Sequence, residues 1–289
     1  LDANSHWLPQ PHRALLLSML KAYREWGGEE DKPRIAIIDW TGVPTSSEFR
    51  VLKDYFVAEG YPALIADPHE LEFNGDYLSV DGFRIDIVYK RVVIHEFLNK
   101  FGLNHPLVHA YRRGRVCVTN SFRTKLAHKK ATFAVLSDPA YQYLFDSAEL
   151  EMAQRHIPWT RFARRSRTVF QGSEFDLETL LLSERGQFVL KPNDDYGGRG
   201  VVLGWETGPE EWRDAVKAAF HKPYIVQERV VLEKTTIPAY SDRAYLDELF
   251  VDFNPFLFQN EVEGALIRLS ASSLLNVTSG GGQNAVLGL

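Results

Sequence analysis

The chain has 289 residues and a mass of 33.0 kDa, which at roughly 150 residues per domain suggests two domains. Hydrophobic residues make up 45%, aromatic residues 12% and charged residues 25%, a balance that excludes intrinsic disorder and collagen-like structure. With 33 Lys and Arg against 38 Asp and Glu, the formal charge of -5 excludes a large basic surface for nucleic-acid phosphates and leaves open only a local basic site.

Cys117 is the only cysteine, so a disulfide framework and a Cys-rich zinc site are excluded and a reducing cytoplasm is the expected setting. The apolar stretch Ala14 to Leu20 is too short to cross a bilayer and has no small-residue cleavage site behind it, so neither a membrane span nor a signal peptide is expected. The opening Leu1, in place of Met, is what a processed or truncated product would show.

Residues 1–33 read as an N-terminal helix, Pro11 to Trp26, and a linker of Gly27-Gly28 with the charged run Glu29 to Lys32. Arg34 to Trp40 is a compact apolar strand, Ser47 to Glu59 has helical periodicity closed by Gly60, and Tyr61 to Ala66 is a second strand. This succession predicts a parallel βαβ unit of an open α/β sheet. Asn74-Gly75 and Asp81-Gly82 predict a small hairpin before the strand Ile85 to Tyr89. A helix from Pro106 to Arg113 and a strand from Arg115 to Thr119 complete a first domain over 34–125.

The remainder, 126–289, alternates differently, with helices at Glu149 to Arg155 and Asp176 to Glu184 and strands at Gln187 to Pro192, Val201 to Trp205 and Tyr224 to Val230. A helix opens at Gly208-Pro209-Glu210-Glu211, with proline and acids in its first turn, and runs to Phe220. Leu249 to Phe258 and Ala265 to Leu269 predict an antiparallel layer.

The most informative stretch is Phe188 to Leu203, two apolar strands flanking a loop of three glycines, a lysine and an arginine. Glycines let backbone N–H groups approach an anion, Lys191 at a strand end supplies a compact positive charge, and Arg199 can grip phosphate oxygens. An ordinary Gly-rich hairpin with solvated charges accounts equally well for Gly197-Gly198-Arg199-Gly200 alone. No Walker A loop and no Gly-x-Gly-x-x-Gly after a strand occurs, so the P-loop and dinucleotide-fold readings lose their main support.

Taken in order, these segments resemble the ATP-grasp superfamily, in particular its circularly permuted, glutathionylspermidine-synthase-like branch. Val189-Leu190-Lys191-Pro192 followed by Tyr196-Gly197-Gly198-Arg199-Gly200-Val201 is similar to that family's second phosphate lysine and phosphate-covering loop. Tyr224 to Val230 is similar to its hinge strand, implying adenine and ribose contacts from Gln227, Glu228 and Val230. Ala127 to Asp138 resembles the helix carrying the first nucleotide lysine, Lys129 or Lys130, and Ile157-Pro158-Trp159-Thr160 the turn into a lid subdomain at about 157–230. Asp252, Arg268 and Asn276 resemble the carboxylate, arginine and asparagine of the metal and triphosphate site.

The resemblance implies an α/β (α+β) fold, a pre-ATP-grasp βαβ domain followed by a two-lobed ATP-grasp domain with antiparallel sheets. It implies ATP and Mg²⁺ as cofactors, small-molecule carboxylate and amine substrates, and neither nucleic-acid nor membrane partners. The implied activity is that of a carboxylate–amine ligase working through an acyl phosphate. Lys191 and Lys129 or Lys130 would bind phosphates, Arg268 would stabilise the transferred group, and Asp252 with Asn276 would hold the metal. Leu274 stands where many such enzymes place a glutamate, with Glu248 or Asn254 as replacement ligands. That departure keeps two alternatives open, a non-catalytic ATP-binding relative and a kinase-like phosphoryl transferase of the same fold.

Weaker signals lie in the first domain. Thr45, Ser46 and Glu48 follow the first strand at the carboxyl edge where open sheets bind ligands, and Arg91 can reach the same crevice. These four are candidate substrate contacts, although Thr45 and Glu48 also have capping-box spacing. His105 and His109 have the spacing of a zinc pair without a third ligand, which favours an exposed or capping role. Trp159 and Trp212 are expected to pack without polar partners, and Arg161, Arg164, Arg165 and Arg167 to form a solvated basic face.

Overall fold

The computed structural model describes residues 10–240, 244–271 and 282–284, and the chain divides into two compact units. Of the described residues, the first comprises 10–125 and 253–266, the second 126–240, 244–252, 267–271 and 282–284.

In the first unit, α1 (Pro11–Trp26) precedes β1 (Ile35–Ile38), α2 (Ser46–Ala58) and β2 (Ala63–Ala66). A three-stranded antiparallel sheet of β3 (Glu72–Phe73), β4 (Leu78–Val80) and β5 (Phe83–Ile85) follows. Then come β6 (Ile87–Lys90), α3 (Ile94–Phe101), α4 (Pro106–Arg112) and β7 (Cys117–Thr119). The strands β2-β1-β6-β7 form one parallel sheet in that order, with Ile35 opposite Ala63 on one side and Ile87 on the other.

β1 is apolar at every position because both its faces are covered, as a central parallel strand requires. Ile35 and Ile37 pack with Met19 of α1 and Phe49 and Phe56 of α2. Ala36 and Ile38 point the other way, toward Phe97 of α3, Leu107 of α4 and Leu78 of β4. From β1 the chain goes first to β2 on one side and later to β6 on the other. The carboxyl ends of β1 and β6 therefore flank a topological switch point, the usual ligand crevice of an open sheet.

The second unit opens with α5 (Lys125–His128, whose first residue belongs to the first unit), α6 (Ala131–Ser137), α7 (Ser147–His156) and β8 (Thr160–Phe162). The hairpin of β9 (Arg167–Phe170) and β10 (Ser173–Asp176) leads to α8 (Leu177–Ser183) and β11 (Phe188–Pro192). β12 (Val202–Leu203), α9 (Pro209–Phe220) and β13 (Tyr224–Glu228) complete an antiparallel sheet in the order β12-β11-β13-β8. Phe188, Leu190 and Val226 of this sheet bury against Leu177 and Leu180 of α8 and Trp212 and Val216 of α9. β14 (Lys234–Tyr240) pairs with β15 (Ala244–Phe258), and β16 (Glu261–Ser270) with β17 (Gly282–Asn284).

Three expectations are corrected. Trp159 and Trp212 both have polar partners, since their indole N–H groups donate to Val169 O and Leu181 O, each at 2.8 Å. Arg161 is not on a solvated face: it is 6% exposed, donates to Thr168 Oγ1 and to the carbonyls of Ser137 and Thr160, and stacks on Trp159. The strand expected over Val201 to Trp205 shrinks to two residues, because a turn at Gly204 takes over.

That turn requires glycine for space. A Cβ on Gly204 would lie 2.1 Å from Arg185 O and 2.7 Å from Phe188 O, both backbone atoms. Gly204→Ala is expected to destabilise the chain by about 1–3 kcal/mol or more, the range of overpacked sites. Gly208→Ala, whose Cβ would meet nothing within 4 Å, should stay near wild type. Urea unfolding of the two variants tests this, and equal midpoints would refute it.

Candidate functional site

The second unit gathers most of the candidate residues around the end of β11. Phe188, Val189 and Leu190 are buried, and this anchored run places Lys191 half-buried near the carboxyl end of β11. Its Nζ donates to Gln227 Oε1 at 2.7 Å. Burial lowers the Lys191 pKa from the ordinary lysine range, and the charge of Lys130 lowers it further. Two of the candidate phosphate lysines thus stand within each other's field.

Lys130 arrives there because the expected helix over Ala127 to Asp138 is broken. α5 ends at His128 and α6 starts at Ala131, so Lys129 and Lys130 occupy the junction. The loop after β11 holds this break open. Lys130 N donates to Asn193 O at 3.0 Å and Ala131 N to Asn193 Oδ1 at 2.8 Å. The Lys130 ammonium donates to Asp195 O at 2.6 Å. Lys129 is half-buried at the same junction.

Beyond Asn193, the loop from Tyr196 to Gly200 is exposed, with φ of +67°, +79° and +69° at Gly197, Gly198 and Gly200. Gly200 also needs its missing side chain, since a Cβ would lie 2.8 Å from Pro192 Cγ, and its carbonyl accepts from the Tyr224 hydroxyl at 3.2 Å. Arg199 is solvent-facing, over the Tyr196 ring and 4.0 Å from Asp195, and Val201 is half-buried. The loop is therefore pinned at both ends and open in its middle.

At the far end of β13, Glu228 and Val230 line a cleft of about 590 Å³ with Ser137, His156, Pro158 and Trp159. Gln227, by contrast, is buried beside Lys191 and does not line it. Asp252 and Arg268 meet each other, Oδ2 to a guanidinium nitrogen at 2.6 Å. Asn276 and Leu274 lie outside the described residues. Among the described residues no group of three or more His, Cys, Asp or Glu side chains could hold a metal ion. Of the replacement ligands, Glu248 is exposed and the Asn254 amide donates to Leu266 O at 3.3 Å.

In the first unit, Glu48 and Arg91 come together at 3.4 Å, Arg91 from the end of β6 and Glu48 from the first turn of α2. Burial works against the Arg91 charge, but Tyr89 and Glu48 outweigh it and its pKa is raised. Thr45 stands before the same turn without any side-chain capping bond, so the capping-box alternative fails, and Ser46 is the first helical residue. His105 does cap its helix, its ring accepting from Leu107 N at 3.1 Å, and its other nitrogen contacts Pro68 O at 3.0 Å.

Two residues at the switch point went unnoticed in the sequence. Asp39 directly follows β1, and burial raises its pKa against the opposing bond from Trp40 N. Lys90 closes β6, 5% exposed, donating to Val92 O at 3.1 Å. The signal was the polar step straight after each apolar run, Ile38-Asp39 and Tyr89-Lys90.

No protein-family model matches the chain. It is 26% identical over 268 residues to the Frankia casuarinae protein described as "Putative glutamate--cysteine ligase 2-2", covering 86% of this chain and 29% of that one. It is 25% identical over 239 residues to an uncharacterised Synechocystis sp. protein, covering 74% and 46%. The chain thus spans less than half the length of these curated relatives. Among solved structures it is similar to a glutathione synthetase-like effector from Globodera pallida in apo form. The TM-score there is 0.53 at 14% identity, covering 95% of this chain and 60% of that one. It is also similar to the ATP-grasp ligase PsnB complexed with its minimal precursor, with a TM-score of 0.42 at 13% identity, covering 89% and 90%. The fold class is mixed α/β, a parallel sheet with a small antiparallel one in the first unit and antiparallel sheets in the second.

Burial, with Lys125 nearby, pulls Lys90 from the ordinary lysine pKa of 10.5 down to about 8. Between those values the unfolded chain binds more protons than the folded one, so stability should rise with pH across that window. At neutral pH the folded state carries a disfavoured charge. Lys90→Met is therefore expected to stabilise the chain there, by up to about 3 kcal/mol. The gain should fade above the folded pKa and vanish beyond the unfolded one. Urea unfolding across that range tests it, and a difference independent of pH would refute it.

Proposed function

We propose that the chain binds ATP with Mg²⁺ and serves as a carboxylate–amine ligase of the ATP-grasp type. The observation that carries this reading is the approach of Lys130 and Lys191, tied together through the glycine-containing loop after β11. Two lysines whose charges oppose each other at the end of a buried strand make an arrangement that an anion of high charge would relieve. Lys191 and Lys130 would neutralise phosphate oxygens, and the backbone of Tyr196 to Val201 would cover them. Arg199 on that loop can add a further grip. Glu228 and Val230 line a cleft of a size suited to a nucleoside.

The pair of Asp252 and Arg268 fits the remaining ions. Magnesium needs only one or two carboxylates once phosphates supply further oxygens, so Asp252 would hold it, with Asn276. Arg268 would turn to the transferred phosphoryl group. A bound Mg²⁺ supplies charge neutralisation on the phosphates. In the reaction, a substrate carboxylate oxygen attacks the γ-phosphorus and ADP leaves. An amine then attacks the acyl carbon, phosphate leaves and the amine proton is lost. Within the first unit, Thr45, Ser46, Glu48 and Arg91 are the proposed substrate contacts. Within that superfamily, the branch proposed is the circularly permuted, glutathionylspermidine-synthase-like one, which the motifs resemble. The description of the Frankia proteins makes glutamate and cysteine the first pair to try.

MgATP should raise the melting temperature of the wild type, by the equivalent of about 2.7 kcal/mol at a hundredfold excess over Kd. Lys191→Ala should abolish most of that shift. No shift in the wild type would overturn the nucleotide reading, and an equal shift in the variant would overturn the role of Lys191. ADP release that needs both a carboxylate and an amine supports the ligase. Release with a phosphorylated but unjoined product would point instead to a kinase.

A further inference from the structure

Lys191, Gln227 and Thr160 lie on three neighbouring strands. Lys191 of β11 is opposite Ile225 of β13, and Gln227, two residues on, shares the face of Ile225. Gln227 is in turn opposite Thr160 of β8. The contacts follow this diagonal, with Lys191 Nζ donating to Gln227 Oε1 at 2.7 Å and Gln227 Nε2 donating to Thr160 Oγ1 at 2.9 Å. The Thr160 hydroxyl donates onward to Pro158 O at 2.8 Å, so it is committed to accept from the amide. That fixes which end of the amide faces the ammonium. Thr160 itself is fully buried, its N and O both bonded to the Ser137 hydroxyl at 3.0 Å.

We propose that Gln227 is not a ligand contact but the positioning residue of Lys191, a neutral amide seat fastened by Thr160 that aims the ammonium and leaves its charge for an anion. The inference rests on the nucleotide reading above. Gln227 is 7% exposed, and its amide is already engaged by Lys191 on one side and Thr160 on the other. A glutamate would make the same bond but would cancel the charge. The other group acting on Lys191 is Lys130, from the α5–α6 junction, and it works in the same direction as burial. β13 presents the neutral Gln227 and Ile225, and β12 brings Leu203, so neither adjacent strand compensates the ammonium at that face.

The test is MgATP affinity between about pH 7 and 10, a range above the terminal phosphate ionisation and across the lysine range. Wild-type affinity should fall as Lys191 loses its proton. Gln227→Glu should bind roughly tenfold more weakly at neutral pH, with its decline moved to higher pH because the carboxylate holds that proton. Gln227→Met should move the decline to lower pH. Thr160→Ser, which keeps the hydroxyl, should restore the wild-type profile that Thr160→Val loses. Melting without nucleotide checks that each variant is folded, and if Gln227→Glu is not, Gln227→Met and the Thr160 pair carry the comparison. Unmoved pH profiles in folded variants, with or without a general loss of affinity, would overturn the proposal. Absence of binding by the wild type would instead strike the nucleotide reading itself.

Discussion

The arrangement on which the second unit turns is a lysine ammonium held half-buried by a strand that cannot let go of it. Phe188 and Leu190 bury against α8 and α9, and the same strand must then carry Lys191 near its carboxyl end. There its charge meets low polarisability and the field of Lys130. A surface lysine would swing into water, whereas this one is bonded to a buried amide. The structure tolerates an unfavourable charge because the surrounding core is rigid enough to impose it. Such imposed charges are characteristic of sites that receive a ligand of opposite sign.

The first unit repeats the pattern with a different balance. Ile87-Val88-Tyr89-Lys90 is an apolar run ending in a lysine, as is Phe188-Val189-Leu190-Lys191. In both cases strand burial dictates where the cation ends. Lys90, however, has Asp39 among its neighbours as well as Lys125, while Arg91 answers Glu48. Charges of both signs at the switch point suit a ligand that itself carries both signs. A cation pair such as Lys130 and Lys191 suits a polyanion.

The parallel sheet was legible because β1 is an unbroken apolar run and the helix after it has clear periodicity closed by Gly60, and Pro11, Pro106 and Pro209 each mark a helix start. What was hidden depends on partners distant in the chain. Nothing in Ala127 to Asp138 breaks a helix, and the break is made by Asn193, more than sixty residues on, whose side chain and carbonyl take the two N–H groups at the junction. Arg161 looks like Arg164, Arg165 and Arg167 in sequence, and only its place on β8, beside Trp159 and Thr168, buries it. The eight-residue α3 has neither a side-chain cap nor a proline to announce it, and its amphipathic face is settled by the sheet it covers. Among the site residues, Lys191 and the glycine loop were legible as residue types. The role of Gln227 was not, since a strand-end glutamine gives no sign of which neighbour it will face.

The ion pair of Asp252 and Arg268 shows why exposure matters to a switchable site. Both side chains are about a third exposed, so water competes for each and the pair contributes on the order of 0–1 kcal/mol. A fully buried pair would be costly to open, because each charge would lose its only partner. At partial exposure the two can part with little loss if ions of the opposite kinds arrive together. On the nucleotide reading proposed above, a magnesium–phosphate complex would supply that combination, the metal for the carboxylate and the phosphoryl oxygens for the guanidinium.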